Sequence, residues 1–195
     1  MTKVIADISM SLDGFVTGPN PDIQHGLGHG GEPLHAWAFS DDPVDAAQLS
    51  VGSERSGAVI MGRRLFDIID SPYGWDDEVG YGAREAGRPP FFVVTHATPK
   101  TRRLALDFTF VTDGVTSAVN HARRAAGAKD VVIMGGGEVI AQALDAGLVD
   151  ELRIHLAPIV LGSGTPLFNP DGRIEMRQTD VQISPHAAHL TYEIG

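Results

Sequence analysis

Three consecutive glycines, Gly135–Gly137, follow the apolar run 131–134 and precede a segment with helical periodicity. The apolar residues of that segment share one helical face: Val139, Ile140, Ala143 and Leu144. A helix N-terminus presents free backbone N–H groups and the positive end of the helix dipole, and glycine lets a ligand approach closely. The pattern therefore favours a site for a phosphate group. A tight turn without a ligand is the alternative.

Basic and hydroxyl residues follow two other apolar runs. Gly62-Arg63-Arg64 comes after one of them, and Thr95-His96 ends the other. A guanidinium group binds phosphate through two parallel hydrogen bonds. Because ligands of open α/β sheets bind at the carboxyl ends of the strands, we expect these residues to meet at one edge of the sheet. A solvated strand end is the alternative for each of them.

Composition excludes several classes of protein. The chain has 195 residues, 43% of them hydrophobic, which predicts a single domain over residues 1–195. The net charge of -10 argues against a nucleic-acid partner. The sequence contains no cysteine, so a thiolate zinc site and a cysteine nucleophile are excluded. No long apolar run predicts a signal peptide or a membrane span, and we expect a cytoplasmic protein.

Apolar runs alternate with amphipathic segments along the chain. Strands are predicted at 3–10, 58–61, 90–95, 108–111, 131–134 and 152–156, and an antiparallel pair at 181–183 and 190–194. Helices are predicted at 44–55, near 65–69, at 115–126 and after the glycines. Asp41 or Asp42 would cap the first helix ahead of Pro43. Residues 17–43 and 71–90 are predicted as long connections. The order predicts an α/β fold with a mixed, mostly parallel sheet.

Together these motifs resemble the dihydrofolate reductase-like family. The closer likeness is to the reductase domain of the bifunctional deaminase-reductase proteins of riboflavin biosynthesis. Six stretches carry it, in the family's order: residues 9–14, 59–64, 92–95, 134–137, 147–152 and 158–164. The resemblance implies a three-layer α/β/α fold with a closing antiparallel hairpin, and an NADPH-dependent reductase that forms a homodimer through the sheet's edge region, including the 150–165 strand.

The resemblance also implies the cofactor contacts. One group of residues would hold the pyrophosphate: Gly135, Gly136, Gly137, Glu138, Val139 and Ile140. A second group would surround the adenosine 2′-phosphate: Arg63, Arg64, Thr95 and His96. Gly62 would also bind the cofactor. Ser9 and Val16 would lie along the nicotinamide. The family joins its first two glycines by a cis peptide bond, so the resemblance predicts a cis Gly135–Gly136 bond.

The residues for catalysis and substrate binding are less sharply defined. Asp45 stands near the position where folate reductases carry an acid, although a first-turn acid that favours the helix dipole explains it as well. Asp13 is a second catalytic candidate, or a turn residue before Gly14. Asp7 would meet a polar substrate or an internal partner. Trp37 would cover the ligand or anchor its loop.

Three hypotheses of function follow. The first is an NADPH-dependent reductase that transfers a hydride to a small heterocyclic or ribosylamine substrate, similar to 5-amino-6-(5-phosphoribosylamino)uracil reductase. The second is a dihydrofolate reductase, and the third is a non-catalytic nucleotide-binding protein. The chain has no deaminase domain. Histidines 25, 29 and 35 lie in a glycine-rich loop that gives no rigid geometry, so no metal site is expected.

Overall fold

The computed structural model describes residues 2–76, 80, 88–168 and 172–195. Within these residues ten strands are present: β1 (Val4–Ser11), β2 (Phe15–Thr17), β3 (Ser56–Gly62), β4 (Phe91–Val94), β5 (Phe108–Val111), β6 (Asp130–Ile133), β7 (Glu151–Ala157), β8 (Thr165–Pro166), β9 (Met176–Ile183) and β10 (Ala188–Ile194). The helices are α1 (Pro43–Arg55), α2 (Arg63–Ile69), α3 (Val115–Ala126), α4 (Gly137–Asp145) and a 3-10 helix at Glu32–Phe39. None of the described helices is long and apolar enough to cross a membrane.

Eight strands form the central sheet in the order β5-β4-β3-β6-β1-β7-β10-β9. The strands from β5 to β7 are parallel, whereas β10 runs antiparallel to both β7 and β9. The two short strands β2 and β8 pair separately. The predicted mixed, mostly parallel sheet with a closing antiparallel pair is therefore confirmed.

The side chains of β3 alternate between two apolar cores. Ala58 and Ile60 belong to the core that includes the buried faces of α3 and α4. Val59 and Met61 belong to the core that includes Phe66 of α2. Since successive residues of a strand point to opposite faces, one strand supplies both cores. The result is a layer of helices on each face of the sheet, as predicted.

Helix α1 begins as its sequence predicts. The Asp42 carboxylate accepts a hydrogen bond from the Val44 N–H at 2.8 Å, and Pro43 occupies the first helical position. This cap satisfies one of the backbone donors that a helix start leaves free. It also fixes the first turn, and with it the position of Asp45.

The prediction of an unbroken loop over 17–43 is wrong. Residues 32–39 form a 3-10 helix with Pro33 in its first turn. Its buried side chains, Leu34 and Trp37, are three residues apart, which places them on one side of a helix with three residues per turn. The 3-10 helix packs against β1 and β7, and Asp45 of α1 contacts His189 of β10. The predicted connection over 71–90 lies partly outside the described residues.

Candidate functional site

A cleft of about 530 Å³ opens at the carboxyl ends of the parallel strands. Most of the residues predicted to bind a cofactor line it: Ser9, Val16, Gly62, Arg63, Arg64, Thr95, His96, Gly135, Gly136, Gly137, Glu138 and Val139. The side opposite the glycines is formed by Pro21, Gly26, Leu27 and His35. The parallel strands thus bring together residues that are distant in the sequence, because their carboxyl ends meet at one edge.

The glycine turn forms one wall of the cleft. Gly136 is the N-cap of α4, and no side chain caps the helix. A Cβ added at Gly137 would lie 2.8 Å from Val16 Cγ2, so only glycine fits there without displacing its neighbour. The turn therefore presents to the cleft a helix N-terminus that no side chain caps, which suits a phosphate group.

The expected cis peptide bond is wrong, because the Gly135–Gly136 bond is trans. Gly135 has φ 147° and Gly136 has φ 82°. These are conformations that glycine adopts readily and other residues rarely. The chain turns from β6 into α4 through these two positive φ angles rather than through a cis bond.

Two residues after the turn have internal roles. The N–H groups of Val139 and Ile140 both donate to the Gly136 carbonyl, at 2.9 and 3.1 Å. Ile140 is fully buried in the core and does not line the cleft, so its placement among the cofactor residues is wrong. The sequence pattern predicted where α4 begins. It did not predict which N–H groups of the first turn are already used in hydrogen bonds. Glu138 is exposed at the rim.

The two adjacent arginines differ in their contacts. Arg63 donates from Nε to Asp67 Oδ1 at 2.7 Å and from Nη1 to the Ala97 carbonyl at 2.8 Å. Arg64 is exposed and forms no ion pair with any residue that the structure describes. Thr95 is buried and its hydroxyl donates to the same Ala97 carbonyl at 2.9 Å. Arg64 is therefore the guanidinium best placed to meet an anionic ligand.

Asp13 is a turn residue and does not line the cleft. Its carboxylate accepts a hydrogen bond from the Ser11 hydroxyl at 2.7 Å and from the N–H groups of Leu161 and Gly162 at 3.0 and 2.7 Å. The Ser11 hydrogen bond and the two backbone bonds lower the pKa of Asp13 to about 2. Asp13 thus ties the turn after β1 to the segment after β7.

Asp45 is also held by internal contacts. Its Oδ1 lies 2.7 Å from His189 Nε2, and its Oδ2 accepts from the Ser40 hydroxyl at 2.5 Å. Burial alone would raise the pKa of Asp45, but hydrogen bonds from Ser40, Ser184 and His189 lower it below the ordinary value. The side chain is 1% exposed and does not line the cleft. An acid on α1 facing a folate-like ring is thus absent from this position.

Asp7 and Trp37 meet the same group of buried side chains. Asp7 Oδ1 lies 3.0 Å from His155 Nε2, and that imidazole lowers the pKa of Asp7 although burial would raise it. The Trp37 indole N–H donates to Ser9 Oγ at 2.9 Å. Asp7 therefore has an internal partner. Trp37 is an anchor behind the cleft, since Ser9 lines the cleft and Trp37 does not.

The sequence did not predict that His35 lines the cleft. This histidine lies in the 3-10 helix, two residues before Trp37. Burial, together with the charge of His155, lowers its pKa, which favours the neutral imidazole at pH 7. The loop histidines gave no signal to distinguish it from His25, which contacts Asp22, or from His29, which contacts His25. No metal-binding group of three or more His, Asp or Glu side chains occurs among the described residues.

Comparison with known proteins agrees with this architecture. The family model of the RibD C-terminal domain matches residues 2–190. The uncharacterized protein YyaP of Bacillus subtilis (strain 168) is 24% identical over 172 residues, which cover 85% of this chain and 80% of that protein.

Solved structures share the fold. A protein from Shewanella sp. PV-4, provisionally assigned to riboflavin biosynthesis, superposes with a TM-score of 0.70 at 22% identity, covering 100% of this chain and 99% of that one. Acinetobacter baumannii RibD superposes with a TM-score of 0.66 at 18% identity, and the match covers 100% of this chain and 58% of that one. The dihydrofolate reductase-like fold is thus confirmed, and the chain belongs to the RibD C-terminal domain family.

Proposed function

We propose that this protein is an NADPH-dependent reductase for a small heterocyclic or ribosylamine substrate, similar to 5-amino-6-(5-phosphoribosylamino)uracil reductase. One observation carries the proposal: a single cleft joins the uncapped N-terminus of α4, the free guanidinium of Arg64 and the Thr95 strand end. These groups suit the two phosphate positions of NADPH: the pyrophosphate, which NADH shares, and the 2′-phosphate, which distinguishes NADPH from NADH.

The cleft residues fit that cofactor. Gly136, Gly137 and the N–H of Glu138 would hold the pyrophosphate, because these residues line the cleft at a helix N-terminus that no side chain caps. Arg64 would hold the 2′-phosphate, supported by the Arg63–Thr95 pair, whose Nη1–Oγ1 distance is 3.4 Å. Once bound, NADPH would supply the hydride for a polarised C=N or C=O carbon.

Ser9 of β1 and His35 of the 3-10 helix are two further polar residues that line the cleft. The Ser9 hydroxyl accepts from Trp37 and keeps its own proton available as a donor. A neutral imidazole at His35 offers one donor and one acceptor nitrogen. The described acid that lines the cleft, Glu138, belongs to the glycine turn. We therefore propose that Ser9 and His35, rather than a carboxylate such as Asp45, orient the substrate.

An activity screen tests the proposal. NADPH oxidation is followed at 340 nm with a panel of pterins, pyrimidines and flavins. Turnover with a pyrimidine or ribosylamine supports the proposed reductase. Turnover confined to dihydrofolate would support the folate reductase instead. Tight NADPH binding without oxidation across the panel would support a non-catalytic nucleotide-binding protein.

The assembly that we propose is a homodimer. The predicted contact through residues 150–165 does not use a free strand edge, because β7 lies between β1 and β10. The strand at that end of the sheet is β9, which is exposed along most of its length and presents Ile183 at 72% exposure. The other proposed partner is a small molecule rather than nucleic acid, in line with the net charge of -10. The proposed location is the cytoplasm.

A further inference from the structure

A continuous chain of polar side chains lies buried between the sheet and α1. Asp7 Oδ1 is 3.0 Å from His155 Nε2, the two Nδ1 atoms of His155 and His189 are 2.7 Å apart, and His189 Nε2 is 2.7 Å from Asp45 Oδ1. The hydroxyl of Ser40 completes the chain at Asp45 Oδ2. Asp45, His155 and His189 are 1%, 4% and 3% exposed. The proposed reductase function uses none of these contacts.

Hydrogen-bond geometry fixes the number of ring protons. The pKa values of Asp7 and Asp45 are both lowered, so both carboxylates are ionised at neutral pH and each facing Nε2 carries a proton. Two lone pairs at 2.7 Å would repel, so one of the two Nδ1 atoms must also carry a proton. Three protons on two imidazoles, which hold two when neutral, make one imidazolium.

The surroundings place that charge on His155. Burial lowers the pKa of His189 and outweighs the hydrogen bond to Asp45, which raises it, so His189 is the neutral acceptor. The Trp37 ring lies against His155 with centroids 4.0 Å apart and planes tilted by 32°, a contact that favours a cation. Asp7 supplies the opposite charge.

Other charged groups near this chain are already paired. Arg153, next on the same face of β7, donates to Glu151 at 2.7 and 2.8 Å. Lys3 also donates to Glu151, at 3.0 Å. His35 of the 3-10 helix is also near this chain, because the charge of His155 adds to the effect of burial in lowering the pKa of His35. Removing these charged groups from water costs free energy. A protein with well-packed apolar residues in their place would often be equally stable. Stability alone therefore does not explain the network, and a role in positioning does.

We propose that a buried imidazolium at His155 positions Trp37, and through it the Ser9 hydroxyl and the His35-bearing helix, at the substrate end of the cleft. The link is direct: His155 stacks on Trp37, whose indole N–H donates to Ser9 at 2.9 Å. Trp37 and His35 belong to the same short helix. His155 is thus a positioning residue. The expected effect on ligand binding rests on the proposed function, whereas the number of ring protons does not.

The proton count is tested directly by nitrogen NMR on protein labelled with ¹⁵N-histidine at pH 7, with the ring signals assigned from single His→Gln variants. The expected result is three protonated and one unprotonated ring nitrogen for the His155–His189 pair, with a coupling across the N–H···N bond. Two protonated and two unprotonated nitrogens in the pair would overturn the inference.

The positioning role is tested by binding of two probes. In the proposed function the nicotinamide half of NADPH would extend to Ser9, whereas adenosine 2′,5′-bisphosphate carries only the phosphate half. His155→Gln is expected to weaken NADPH binding tenfold or more and to change bisphosphate binding less than twofold. His121→Gln, an exposed histidine on α3, is the matched control and should change neither. Unchanged NADPH affinity in folded His155→Gln would overturn the role.

Trp37→Phe keeps an aromatic side chain beside His155 and removes the indole N–H together with part of the ring volume. It therefore tests the link to Ser9 even if His155→Gln does not fold, and a several-fold loss of NADPH affinity is expected. Unchanged affinity in this variant would overturn the link. If the wild-type protein binds neither probe, the proposed function fails, whereas the NMR result still decides the proton count.

Discussion

Arg63 and Arg64, at the start of α2, differ in their contacts, which indicates a structural role for Arg63 and a binding role for Arg64. Arg63 is tied to Asp67 and to the Ala97 carbonyl, so it holds the segment after β4 against the helix. Arg64 is exposed at the cleft and has no ion-pair partner among the described residues. An exposed guanidinium in the same cleft as the uncapped N-terminus of α4 suits an anionic ligand.

Arg64→Ala should therefore weaken NADPH binding and leave NADH binding nearly unchanged. A hydrogen bond to a charged group contributes about 1.5–3 kcal/mol, which corresponds to a loss of tenfold or more. Arg124→Ala, an exposed arginine near the end of α3, is the control. Calorimetric titration with both cofactors measures the effect, and equal losses for NADPH and NADH would remove the 2′-phosphate role of Arg64.

Asp13 gives a prediction for acid stability. Its pKa of about 2 lies below the ordinary value of 3.8, because the Ser11 hydroxyl and two backbone N–H groups bind the ionised form. A lowered carboxyl pKa stabilises the fold above the unfolded value and loses that effect as the pH falls towards 2. Asp13→Asn should thus melt below the wild type at pH 6, and the gap should narrow between pH 4 and pH 2. A constant gap across thermal melts would contradict this account.

At the scale of elements, the two ends of α4 show how glycine is used for binding and for structure. Gly136 begins the helix with φ 82°, and Gly147, with φ 63°, follows its end. Gly147 N–H donates to the Leu144 carbonyl and Leu148 N–H to that of Ala143, which closes the helix. Only the first end faces the cleft.

Gly136→Ala and Gly147→Ala form a matched pair. Each places a side chain at positive φ, which costs about 1–2 kcal/mol, and neither added Cβ comes closer than 3.5 Å to another heavy atom. Both should lower the melting temperature to a similar extent. Only Gly136→Ala should abolish or strongly weaken NADPH binding, because its methyl group narrows the phosphate turn. A similar loss of affinity in both variants would place the glycine turn outside the binding site.

Local patterns predicted most of these elements, because apolar runs and helical periodicity are properties of neighbouring residues. Helix α3 and strand β5 have the predicted bounds, and the cap at Asp42 was one of two candidates. The 3-10 helix escaped prediction because one apolar pair in a glycine- and histidine-rich loop gives little periodic signal.

The buried side chains behind the cleft could not be predicted from local pattern. Alternation in β7 indicated a strand with Arg153 and His155 on its polar face, which is typical of a solvated surface. In the structure the 3-10 helix packs against β7, and both Arg153 and His155 are buried. The partners of His155 and His189, Asp7 and Asp45, are 148 and 144 residues away along the chain, so only the tertiary fold brings them together.

At the scale of the whole molecule, the two ends of the sheet differ in their neighbours. Strand β5 ends the sheet on one side and contributes Phe108 to the core that contains Phe66. Strand β9 ends it on the other side and exposes Val181 and Ile183, at 38% and 72%. A long, exposed edge strand with apolar residues at Val181 and Ile183 favours pairing with another chain. This contrast supports the proposed homodimer, and we propose that its contact uses β9.

Sedimentation equilibrium should therefore give twice the monomer mass at micromolar concentration. Ile183→Asp should shift the protein to monomer without loss of secondary structure, because a charge would be buried in the contact. Thr109→Asp, on the opposite edge strand β5, should leave the dimer intact. A monomeric wild type, or an Ile183→Asp variant that stays dimeric, would contradict the β9 contact.

The central claim is that the cleft binds NADPH, and its most direct test is a calorimetric titration of the purified protein with NADPH and NADH at equal ionic strength. The account predicts one saturable site for NADPH and an affinity for NADH at least tenfold lower, with adenosine 2′,5′-bisphosphate competing against NADPH. Absence of NADPH binding at near-millimolar concentration, or equal affinity for the two cofactors, would contradict it.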